Sequence, residues 1–90
     1  MKINIVEIYK KKVTEKVGYS IPSKFEILFT DKEKSIWFFT LLLIKSNPEK
    51  DEYDNNNEAD MSNLNKMMSI FKSMGHEQFT IQEWFDYLSK

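Results

Sequence analysis

Cysteine and arginine are both missing from this chain, and glycine, proline and histidine are scarce: two, two and one. Without cysteine there can be no disulfide, no zinc thiolate and no thiol nucleophile. The absence also suits a reducing compartment, and a cytoplasmic location is the expectation. Without arginine the chain lacks the side chain best shaped for bidentate contact with phosphate or guanine, so nucleic acid is a disfavoured partner. Gly18 and Gly75 alone cannot build a phosphate-cradling loop.

His76 has no second histidine at ligand spacing and no nucleophile beside it in sequence. It is expected in an exposed turn next to Gly75, or near the C-terminal carbonyls of the preceding helix. Long apolar runs are also missing. The longest, Ile36 to Ile44, is broken by Thr40. A membrane span needs ~20 apolar residues, so this run reads as a core segment and no membrane partner is expected. Near the start of the chain, Glu7 and Lys10–Lys12 interrupt the apolar residues before a secretion signal could form.

What is present is an ordinary globular composition in one domain, residues 1–90: 41% apolar and 30% charged. Seven Phe, four Tyr and two Trp predict a core dominated by a few large rings. Abundant Ile, Lys, Asn, Phe and Tyr point to AT-rich coding sequence, as in low-GC bacteria, their phages or protists.

The chain reads as mostly α, a small four-helix domain with helices at about 4–17, 31–46, 61–74 and 80–89. Asn4 with Glu7 opens the first helix, and Ile5, Tyr9, Val13 and Val17 recur every four residues along it. Gly18 is its expected stop. Pro22 and the alternation of Phe25, Ile27 and Phe29 predict an extended segment at 19–30. Residues 31–46 have two readings. Ile36, Trp37, Phe38 and Phe39 favour a strand, giving an α+β alternative with a 24–30/35–44 hairpin packed on three helices. The Thr30/Glu33 capping box, the Leu41–Leu43 run and the absence of a turn glycine favour a buried central helix, which is preferred. Leu64, Met68 and Phe71 share a face of the third helix. Thr80 with Glu83, and Phe79 with Trp84, form a capping box and hydrophobic staple for the last. The words Phe29-Thr30-Asp31-Lys32-Glu33 and Phe79-Thr80-Ile81-Gln82-Glu83 follow one pattern, two helices begun by the same physics.

Residues 46–60, SNPEKDEYDNNNEAD, read as a flexible acidic loop, too polar to bury. Tested as a calcium loop from Asp54, it has Asn56 and Glu58 in place but Ala59 where glycine is needed. Asn65 stands where the bidentate glutamate is needed, so the motif fails. The acids have no apolar surroundings that would raise a pKa for acid catalysis. No catalytic residue, metal or cofactor is expected, and the chain does not read as an enzyme.

Charge falls in zones. Residues 1–24 hold six Lys against two Glu, residues 25–60 nine acids against four Lys, and residues 61–90 three of each. Candidate partner-binding residues are therefore the acids Asp51, Glu52, Asp54, Glu58 and Asp60, and the basic face Lys10, Lys11, Lys12 and Lys16. Trp37, Trp84 and Tyr87 are added as possible interface anchors in so small a domain. Met61, Met67, Met68 and Met74 could fill core or form an adaptable groove. If Ile36–Ile44 is only half covered by this chain, a dimer or a complex is implied.

The last two helices, joined by Gly75-His76-Glu77-Gln78-Phe79-Thr80, resemble the helix pair of winged-helix domains over about 30 residues, stopping where a recognition helix should follow. That resemblance implies a DNA-binding regulator, using the C-terminal helix pair or lysine-rich helix one. The residue inventory favours a different reading. It describes a non-catalytic protein-binding module, an inhibitor, adaptor or subunit, whose partner is another protein or a second copy in a homodimer. Its size and coding bias would suit a phage or mobile element.

Overall fold

The computed structural model describes residues 1–17 and 29–90, with side chains described for 1–12 and 29–90. In chain order the elements are β1 (Lys2–Asn4), α1 (Ile5–Val17), α2 (Asp31–Ser46), β2 (Glu52–Asp54), α3 (Glu58–Lys72) and α4 (Ile81–Leu88). The chain is mostly helical, as expected, with a small antiparallel sheet added.

Local chemistry sets the helix ends. Asn4 Oδ1 accepts from the Glu7 backbone N–H at 2.9 Å and opens α1. The expected Gly18 stop and the extended segment at 19–30 lie outside the described residues, apart from Phe29 and Thr30. At α2 and α4 both capping boxes are complete: the Thr30 and Thr80 hydroxyls accept from Glu33 and Glu83, whose carboxylates return to the cap N–H groups. Each cap follows a buried phenylalanine, Phe29 or Phe79.

The hairpin alternative is overturned over 35–44, which is helical throughout. The capping box starts the helix, the leucines continue it, and Thr40 adapts by donating its hydroxyl to the Ile36 carbonyl at 2.8 Å.

Residues 46–60 depart most from expectation. They contain β2, and α3 begins at Glu58, three residues before the predicted start. β2 pairs antiparallel with β1 in the register Lys2↔Asp54, Ile3↔Tyr53 and Asn4↔Glu52. Ile3 and Tyr53 both face the core, and Tyr53 is fully buried. A two-stranded sheet of three residues is marginal alone, so this one depends on the helices behind it. Asn57 explains the early start of α3, because its side chain accepts from the N–H groups of Ala59 and Asp60 at 2.9 and 3.2 Å.

The core is aromatic. Phe39 meets Phe71, Phe79 and Trp84 edge-on at centroid distances of 5.4, 5.6 and 5.7 Å. Tyr53 meets Trp84 at 6.1 Å. Trp84 Nε1 donates to Thr40 Oγ1 at 2.9 Å, linking α4 to the middle of α2. A second group centres on Trp37, with Tyr9, Phe29 and Tyr87 edge-on at 5.9, 6.2 and 5.6 Å. Among the described residues, Trp37 Nε1 is the buried side-chain polar atom without a hydrogen bond.

Candidate docking groove

Helix α2 carries two apolar stripes. Ile36, Trp37, Phe39, Thr40 and Leu43 are buried. Phe38, Leu41, Leu42 and Lys45 follow the spacing i, i+3, i+4, i+7 on another face, and their apolar members are only half-buried. A helix apolar around most of its circumference needs cover on more than one side, and this second stripe is incompletely covered.

The end of α3 forms the opposite wall. The Ser73 hydroxyl donates to the Ile70 carbonyl at 2.6 Å, and the N–H groups of Met74 and Gly75 donate to Phe71 and Lys72. Gly75, at φ +79°, turns the chain back. His76 consequently stacks on Phe71 at 4.9 Å and tilts against Phe38 at 5.3 Å. Phe38, Leu41, Leu42, Lys45, Phe71, Met74 and His76 together line an open groove of about 290 Å³. Met74 is 50% exposed, and Ile70, one turn before it, 45%.

The residues singled out from sequence fall elsewhere. Trp37 and Trp84 are 2% and 0% exposed, so they anchor this chain's own core and not an interface. Tyr87 is half-buried and donates its hydroxyl to Glu33 Oε2 at 2.7 Å. Asp60 is a correction too: it is a buried acid, not a solvated one. It pairs with Lys50 at 2.7 Å and accepts from the Asp54 backbone N–H at 2.9 Å. Lys50 also lies over the Tyr53 ring, 4.9 Å from its centroid. Burial, with the Asp60 charge second, raises the Tyr53 pKa.

Asp54 is held below the usual carboxylate range, first by the Asn56 backbone N–H. It also meets the Met1 ammonium at 3.5 Å. Glu52 pairs with Lys2 at 3.5 Å, and Asp51 accepts from the Asn4 side chain at 3.5 Å. Glu58 is exposed in the first turn of α3. Most of the acidic segment thus ties the sheet and α3 together. Lys10, Lys11 and Lys12 are exposed, while the Lys16 side chain lies outside the described residues. The methionines divide: Met68 is core, Met61 and Met67 are partly buried against it, and Met74 borders the groove. His76 is half-buried against two rings, not simply in an exposed turn.

The sequence marks parts of this groove: Met74 as a possible groove residue, and Ile36–Ile44 as a run that implies a dimer or a complex if it is only half covered. A further signal is the 38/41/42/45 spacing inside that run. Among the described residues no group of three or more acids and histidines is arranged to hold a metal, and no helix is long and apolar enough to cross a membrane. No family model, curated protein or solved structure matches the chain.

Proposed function

We propose that this chain is a non-catalytic protein-binding module, an inhibitor, adaptor or complex subunit that acts by occupying a partner's surface. The half-covered second stripe of α2, continued by Phe71, Met74 and His76, supports the reading. An open apolar groove at that position suits side chains of another protein better than an enclosed small ligand. Its volume of about 290 Å³ falls just under the ~300–1,000 Å³ of typical ligand cavities. A cytoplasmic protein of a phage or mobile element, acting on a host factor, fits the same picture.

Selection of a displayed random-peptide library on the immobilised full chain tests it, with the Met74→Glu variant as counter-target. Enrichment of sequences that bind the natural chain and not the variant is expected. No enrichment, or enrichment indifferent to Met74, counts against the groove as the binding surface. The DNA-binding alternative draws on the three exposed lysines Lys10, Lys11 and Lys12. Titration with duplex DNA over a salt series decides it, and absence of binding at low salt ends it.

A further inference from the structure

Resting on the protein-binding reading, we infer that the groove's occupant is a short amphipathic helix in which acidic residues flank two apolar side chains one turn apart. Length is the first argument. The stripe from Phe38 to Lys45 covers two helical turns, ~10 Å at 1.5 Å per residue. A pair of anchors at i and i+3 or i+4 spans ~5–6 Å and so fits within that length, in the repeat by which amphipathic helices dock in apolar grooves.

Charge is the second argument. Among the described residues no carboxylate lines the groove, and Lys45 is its only charged lining residue. Lys45 makes no ion pair among the described residues, in contrast to Lys2, Lys32, Lys34 and Lys50. A basic segment would bring like charge against Lys45, whereas an acidic one would complement it. The soft, unbranched Met74 side chain can adjust to the shape of whichever anchor enters.

Two synthetic peptides of about 16 residues, long enough to hold some helix, provide the test. Each carries a leucine pair one turn apart, and they differ only in flanking Glu or Lys. Binding is followed by fluorescence anisotropy with the full chain. The Glu-flanked peptide is expected to bind about fivefold tighter, the scale of one exposed ion pair. Lys45→Glu should erase or invert that preference, and Met74→Glu should abolish binding of both peptides while leaving the thermal unfolding midpoint unchanged.

Equal affinity for the two peptides, a preference untouched by Lys45→Glu, or no binding of either overturns the acidic-helix proposal. If the library selection still yields Met74-dependent binders, the protein-binding reading survives that failure. Sedimentation showing a dimer that Met74→Glu dissociates would assign the groove to a second copy and also overturn the proposal.

Discussion

Tyr87 donates its hydroxyl to Glu33 Oε2, while Glu33 Oε1 accepts the backbone N–H of Thr30 at 3.0 Å. One carboxylate therefore both caps α2 and receives a side chain from the last turn of α4. The reciprocal tie runs from Lys32 to Glu83, the capping carboxylate of α4. The two F-T-x-x-E words, 50 residues apart in sequence, are cross-braced in space.

This brace should be visible at high pH. The Tyr87 pKa is pushed from its ordinary 10.0 to about 12, first by burial and then by the bond to Glu33. Below pH 10.0 the phenol is protonated in both folded and unfolded chains, so its contribution is fully present. Between 10.0 and about 12 the unfolded chain releases the proton first, so stability falls as pH rises. Tyr9 and Tyr53, also raised by burial, act in the same direction. Urea unfolding across this range should show a steeper decline for the natural chain than for Tyr87→Phe.

Thr40 links two helices through one oxygen, which donates to Ile36 and accepts from Trp84. Thr40→Val keeps the shape but leaves the buried indole N–H without an acceptor. A loss of about 2 kcal/mol is expected, within the ~1–3 kcal/mol for an orphaned buried donor. Thr40→Ser, which keeps the oxygen and drops a methyl, should lose only about 1 kcal/mol. Equal losses in chemical denaturation would remove the hydrogen bond from the explanation.

Asp60, with its side chain only 10% exposed, is the acid whose removal should matter most. Asp60→Ala breaks the pair with Lys50 and leaves the Asp54 N–H without its acceptor. A cost of about 2–3 kcal/mol is expected for losing hydrogen bonds to a charged group. Glu58→Ala, at an exposed position, should stay within about 0.5 kcal/mol of the parent. Comparable losses for the two would contradict the division between inner and outer acids.

The helices were legible in the sequence because their signals are local. Thr30/Glu33, Thr80/Glu83 and the leucine run act within a few residues of themselves. The sheet was not legible: Ile3 pairs with Tyr53 across 50 positions, and nothing within SNPEKDEYDNNNEAD marks Tyr53 as its one deeply buried ring. The acids around it hid that role, because composition cannot show that Asp60 and Lys50 neutralise each other. The tryptophans were misjudged for a related reason. Domain size argued that some large rings stay exposed, yet among the described residues the large exposed apolar groups are the less conspicuous Met1, Ile70 and Met74. The groove needed both helices placed before its two walls could be seen.

Gly75 separates backbone strain from crowding. A Cβ added there meets nothing within 4 Å, but φ is +79°. Gly75→Ala should therefore cost about 1 kcal/mol from the left-handed backbone alone. Thermal unfolding checks the size. The same substitution should also move His76 relative to Phe71, visible as a changed ring-current shift of the imidazole protons.

The two indoles, one held by Thr40 and the other without an acceptor among the described residues, give the molecule a pair of internal clocks. Trp84 sits in the Phe39–Tyr53 group with its proton held by Thr40, whereas Trp37 sits among Tyr9, Phe29 and Tyr87 with no hydrogen-bond acceptor among the described residues. Their indole N–H protons should resonate apart and exchange with solvent at rates set by separate openings. Following both in one sample would time the loosening of the α2–α4 seam against that of the α1 side, without an added label.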